Sequence, residues 1–287
     1  MFSERYWRKI KAPTGNGTTS LKITPTPGHR LHGMLLDCIN AVGTNTVAGW
    51  CTDCTELRVK VGTRVRWRLN GTQLRDWLLL HGTTYDLTGT PNVNGTQVVI
   101  PLAPEWYLDN VQDSLAWDPS RLGGDITLEV DSTTANTVTA YELVSDDLGA
   151  PSSGIITLEV IKPVAGGTAF YVQKEIDVRG RLLLASIYPD TTNSRAITPA
   201  SLLLGPEDIF AHEALTSAEN TELLNRYFYT PAASGRTANV YDIVSAKSDK
   251  LDRAWDLVAW GDCKIKVEAA AAMAGTSSIL LQRLESQ

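Results

Sequence analysis

The sequence is poor in the residues that usually carry chemistry. Its 287 residues include only four histidines, His29, His32, His81 and His212. His29-Arg30-Leu31-His32 lacks the His-x-His spacing of a strand-borne metal site, and a strand would put positions 29 and 32 on opposite faces. Both read as structural or exposed. There is no Gly-x-Ser-x-Gly elbow and no Gly-x-x-x-x-Gly-Lys loop. Asp146-Asp147 is one of several acidic pairs, but glycoside hydrolysis needs two carboxylates facing across a cleft. No catalytic, cofactor-binding or metal-binding residue is therefore assigned.

Cysteine is equally sparse: Cys38, Cys51, Cys54 and Cys263. Cys51-Thr52-Asp53-Cys54 is a C-x-x-C, but a structural zinc site wants a second close pair. A thioredoxin-type motif wants a βαβ setting, which is missing. Reduced thiols in a protein made in the cytoplasm are the expectation. No apolar run reaches the roughly 18 residues a membrane helix needs. The first ten residues lack the apolar core of a secretory signal. Asn16, Asn70 and Asn94, each followed by Gly-Thr, then read as turns rather than glycosylation sites. A net charge of −6 and a pI near 5.3 argue against a chain whose main surface binds nucleic acid.

What remains is β-strand text. Leu57, Val59 and Val61 alternate with Arg58 and Lys60; Val65, Trp67 and Leu69 alternate with Arg64, Arg66 and Arg68. That period-two pattern predicts strands with one buried and one solvated face. The cations form a basic stripe, read as a solvated outer strand face or as a buried inter-subunit surface pairing with acidic neighbours. Asn70-Gly71 reads as a turn, and Gln73–His81 as a helical turn or a strand. Pro206–Tyr229 reads as one or two helices broken near Thr216-Ser217. Residues 1–12 place Phe2, Tyr6, Trp7 and Ile10 at helical spacing among Arg5, Arg8, Lys9 and Lys11, which predicts a basic amphipathic arm ended by Pro13.

The chain also repeats itself. Ala116-Trp117-Asp118, a turn, Asp125–Val130, a Thr-rich bend and a strand ending Tyr141-Glu142-Leu143 form one passage. Ala254-Trp255-Asp256, a turn, Asp262–Val267, a small-residue bend and a strand ending Leu284-Glu285 form the other. Leu128 and Ile265 lie 137 positions apart, nearly half the chain, which suggests one domain architecture used twice. The Pro/Gly/Ser stretch Ser145–Gly154 is the expected linker.

With its alternating strands over Thr55–Gly71 and two matched closings, Asp125–Leu143 and Asp262–Leu284, the chain resembles the double jelly-roll major capsid proteins of tailless icosahedral viruses. The likeness is to the small members from membrane-containing, corticovirus-like bacteriophages. The resemblance implies an all-β fold of two tandem jelly-roll β-sandwiches. It gives an N-terminal arm over 1–19, a first roll over 20–148 and a second over 149–287 with a helical insertion. It implies no enzyme and no cofactor; calcium between carboxylates would arise only at assembled contacts. Three chains would form a pseudo-hexameric capsomer that tiles a shell in the virion, assembled in the host cytoplasm. Partners would be neighbouring capsomers, penton and minor capsid proteins, and an internal membrane or the genome through residues 2–12. The loop Gly82–Gln97 and Pro206–Tyr229 would be tower or contact loops. Trp50, Trp106, Trp117, Trp255 and Trp260 are candidate interface anchors. For Trp117 and Trp255, at equivalent repeat positions, a shared core role fits better. A glycan- or receptor-binding spike and a double jelly-roll hydrolase are the competing readings.

Overall fold

The computed structural model describes residues 4–40, 47–81, 96–104, 106, 114–162, 171–189, 197–227, 236–245, 251, 254–269 and 277–287. They form two compact units. The first holds the described residues up to Ile156, except Leu80 and His81, together with Ser286 and Gln287. The second holds Leu80, His81 and Thr157–Glu285. The expected boundary at 148/149 lies inside the first unit.

Seven strands build the first unit: β1 (Tyr6–Lys9), β2 (Thr18–Ile23), β3 (Arg30–Asn40), β4 (Cys54–Val61), β5 (Arg64–Leu69), β6 (Thr96–Pro101) and β7 (Ile126–Ser145). β7 is 20 residues long and serves two sheets. Its first half lies between β2 and β4: Leu128 faces Ile23 on one side and Val59 on the other. Its second half lies between β1 and β3: Val144 faces Tyr6 and Leu31. Counting β7 as a seventh and an eighth strand, the sheets read 1-8-3-6 and 2-7-4-5. Even-numbered residues of β7 point inward along both halves. Leu128, Val130, Val138, Ala140 and Val144 meet Ile23, Val59, Trp67, Met34, Leu36 and Ile100 in the core. The Thr-rich bend lies where the strand changes sheets. There Asp53 accepts bonds from Thr134 N at 2.9 Å and Thr134 Oγ1 at 2.8 Å, and from the Thr133 hydroxyl.

The second unit repeats this order with eight separate strands. They are β8 (Ile155–Ile161), β9 (Tyr171–Glu175), β10 (Arg181–Tyr188), β11 (Ile197–Leu204), β12 (Ile209–Thr216), β13 (Tyr241–Val244), β15 (Cys263–Ala269) and β16 (Ser278–Glu285). The two-residue β14 (Trp255–Asp256) adds to β10. The sheets are β8-β16-β10-β13 and β9-β15-β11-β12, again 1-8-3-6 and 2-7-4-5. Their inner faces share one apolar core that includes Leu182, Ile187, Leu202, Ile243, Ile265 and Leu281. Two four-stranded sheets in this order are a jelly roll. The small-residue bend expected between the last two strands falls at 270–276, outside the described residues.

The matched Trp-Asp pairs occupy matched places. Trp117 pairs by backbone with Leu31, near the start of the third strand of its roll, and Trp255 with Leu182, near the start of the third strand of the other. Each following aspartate caps a one-turn helix, α3 (Pro119–Leu122) or α5 (Leu257–Trp260). Each helix ends on a glycine in the left-handed region, Gly123 or Gly261, where any other residue would be strained. Trp117 is fully buried in its core, whereas Trp255 is half-buried and packs against the second core from outside it, so the expected core role holds fully only for Trp117.

Local expectations fail at three places. Residues 6–9 form a strand and not a helix. Arg8 turns inward to Glu142 at 2.7 Å and Ile10 is buried, so tertiary pairing with β7 overrides the helical spacing. Asn70-Gly71 starts helix α2 (Gly71–Leu80) and makes no hairpin. Asn70 Oδ1 accepts from Gln73 N at 2.8 Å, and Gln73 Oε1 accepts from Asn70 N at 2.9 Å, a reciprocal capping box. A Cβ on Gly71 would sit 2.5 Å from Cys51 O, so only glycine fits there. Finally, Ile209–Thr216 is β12; only α4 (Ser217–Tyr227) is helical, opened by a second capping box between Thr216 and Glu219.

The linker is tied to the first roll. Arg30 donates to Asp147 at 3.0 Å and to Pro151 O at 3.1 Å. Asp118 accepts from Gly149 N, and Gln287 Nε2 donates to Gly154 O.

Candidate assembly surfaces

The groups that could carry chemistry are occupied structurally. Cys38, Cys51, Cys54 and Cys263 are buried free thiols. Burial pushes Cys51 and Cys263 up to about 12 and the other two higher, so all stay protonated and unreactive at neutral pH. Among the described residues no three His, Cys, Asp or Glu side chains are grouped to hold a metal ion. His29 is a surface residue bonded to Asp146 at 2.6 Å, and His32 is buried against Ser145 Oγ at 2.8 Å. Burial holds His212 down at about 4 and His81 at about 3.

The basic stripe is the outer face of the sheet β2-β7-β4-β5. Arg58 reaches Glu56, Glu129 and Asp131 at 3.0, 3.2 and 2.6 Å. Lys60 meets Glu129 and Arg68 meets Glu56, each at 2.6 Å. Most of the stripe is thus neutralised within its own sheet. Apart from Arg68, the paired side chains are only about a quarter exposed.

The outer face of the other sheet, β1-β7-β3-β6, is different. Cross-strand pairing sets Trp7, Leu143, Gly33 and Pro101 in one row and Lys9, Tyr141, Leu35 and Val99 in the next. Thr139, Asp37 and Gln97 follow, then Thr137 and Ile39. Trp7 is 51% exposed and Ile39 45%. Asp37 is the one acid in these rows. Burial raises its carboxyl, and its Oδ1 accepts no hydrogen bond among the described residues.

The equivalent face of the second roll is closed. Asp242, Ser186 and Leu280 form one outward row, and Leu184 and Gln282 belong to the next; all are buried. Arg236 pairs with Asp242 at 2.6 Å, Ser186 Oγ donates to it at 2.5 Å, and Asn220 of α4 donates to Asp242 O at 2.8 Å. The second roll instead exposes a knob. On α5, Val258 is 64% and Trp260 40% exposed; Ile209, across the β11–β12 turn, is 47% exposed. Trp260 rests on Gly205, where a Cβ would lie 3.3 Å from the ring. Part-exposed Asp208, Asp256 and Asp262 surround the knob, with Lys264 bridging Asp208 and Asp262 at 2.9 and 3.0 Å.

Of the five candidate anchor tryptophans, Trp50 and Trp117 are buried, Trp106 and Trp255 are half-buried, and only Trp260 is well exposed. Trp7 was not among them. Its signal was available: strands such as Leu31–Ile39 carry apolar residues at both parities, which marks a sheet face that is apolar on both sides. The expected contact loop lies outside the described residues over 82–95.

Neither a protein-family model nor a curated protein matches the sequence. Solved structures do match. The major capsid protein P2 from bacteriophage PM2 aligns over 99% of this chain and 99% of its own, with a TM-score of 0.72 and 13% identity. The fold is a double jelly roll. The PBCV-1 virus capsid structure aligns over 99% of this chain and 94% of its own, with a TM-score of 0.65 and 10% identity. The Faustovirus major capsid protein covers 99% and 90%, with a TM-score of 0.65 and 8% identity.

Proposed function

We propose that this chain is a viral major capsid protein. Three copies form a six-cornered capsomer, and capsomers tile an icosahedral shell. The observation that carries this reading is the repeated strand order: two rolls of 1-8-3-6 and 2-7-4-5 in one chain give a trimer six similar corners. The end-to-end likeness to capsid structures supports it. The work is interface formation and not catalysis, since complementary packed surfaces are what assembly requires. Buried, protonated thiols suit assembly in a host cytoplasm. Penton and minor capsid proteins, and a membrane or genome beneath the shell, are partners of this reading. Because Tyr6–Lys9 is an edge strand of the first roll, a contact made by residues 2–12 would use its outward side chains and not a free helical arm. The test is negative-stain imaging of the purified protein. Hexagonal blocks, hexagonal sheets or closed shells are expected; particles of single-chain size would contradict the reading.

A further inference from the structure

We infer that the apolar outer face of β1-β7-β3-β6 in one copy receives the α5 knob of a second copy. The inference rests on the capsid reading and names the contact that holds the capsomer together. Three observations carry it. The first is the contrast between the rolls: the second roll closes this same face with its own α4 and Arg236, while the first leaves Trp7 and Ile39 exposed and Leu35, Val99 and Tyr141 half-buried. Two adjacent, largely apolar rows, Trp7 to Pro101 and Tyr141 to Val99, bordered by the polar row Thr139, Asp37 and Gln97, are the usual mark of a contact surface. The second is shape and chemistry: the knob offers an exposed Trp and two aliphatic side chains, the kind of anchor that fills such a face. The third is charge. Arg5, Lys9 and Lys11 are exposed along the β1 margin of the face, and the knob keeps one net negative charge, since Asp208 and Asp262 share Lys264 and Asp256 lies 3.9 Å from Arg181.

The two surfaces differ, so the contact is heterologous, and such contacts close rings when the rotation permits. This gives a sharp test by light scattering. Leu35→Arg spoils only the face and Val258→Asp only the knob; Ile39→Arg and Trp260→Ser are second variants at exposed positions should either first choice fail to fold. Each variant alone is expected to fall from a trimer to a 31.3 kDa monomer with an unchanged circular dichroism spectrum. A mixture of one face variant and one knob variant retains a single intact contact. It is expected to form a one-to-one dimer of twice 31.3 kDa at high concentration. Variants that remain trimeric, or a mixture that stays monomeric, would overturn the inference while the wild-type trimer kept the capsid reading intact. A monomeric wild type would remove both.

Discussion

The two rolls share a strand order and differ in what they do with one face of it. In the first, the outer face of the 1-8-3-6 sheet is part-exposed and carries an apolar patch, and the last two strands are one continuous β7. In the second, that face is sealed by a buried Arg236–Asp242 pair, Asn220 and the buried Gln282, and the last two strands are separate. The inward residues that set the topology are equivalent; the outward ones are not. A repeated frame thus keeps its core pattern while one roll covers this face with its own helix and the other leaves it part-exposed.

The largest expected effect tests the sealed face. Arg236→Ala would strand the fully buried Asp242 carboxylate and is expected to cost about 3–5 kcal/mol. In the first roll Arg30→Ala should cost less, about 1–3 kcal/mol, because its partner Asp147 is a quarter exposed. Chemical denaturation of both variants reads the difference, and equal losses would blur the contrast. Next come the paired tryptophans. Trp117→Ala should cost about 3–5 kcal/mol, and Trp255→Ala no more than about half of that, since only Trp117 is fully buried.

Acid should separate the rolls as well. His81 and His212, both in the second roll, are held neutral by burial at about 3 and about 4. Between about pH 6.5 and those values the unfolded chain binds protons that the folded one refuses, so stability is lost as pH falls. In the first roll Asp118 is held below the usual carboxylate range: burial pushes it up, but bonds from Ser120 and Gly149 and the Arg121 charge outweigh that. Its contribution persists until the pH drops below about 4. Hydrogen exchange at pH 5 should therefore show second-roll strands losing protection first; first-roll strands leading would reverse the assignment. The smallest effect concerns the caps. Asp256→Ala should cost about 1 kcal/mol, and Asp118→Ala somewhat more, because Asp118 also accepts from Gly149 N.

Much of the frame was legible in the residues. Alternation over Thr55–Leu69 marked β4 and β5, and the repeated Ala-Trp-Asp marked equivalent capped turns. The misses share a cause: local spacing was outvoted by partners distant in sequence. Residues 6–10 suit a helix by spacing, yet Glu142, over 130 residues away, takes Arg8 into a sheet. Asn70-Gly71 suits a hairpin until Gln73 completes a cap. The surface contrast was hidden for a similar reason. Leu35, Tyr141 and Val99 form one patch only in register, and register is a tertiary property.

The proposed trimer with six similar corners is tested most directly by the solution mass of the purified protein across a range of concentrations. Light scattering should give three times 31.3 kDa, about 94 kDa, or larger multiples as capsomers associate. A mass of 31.3 kDa at every concentration would contradict it.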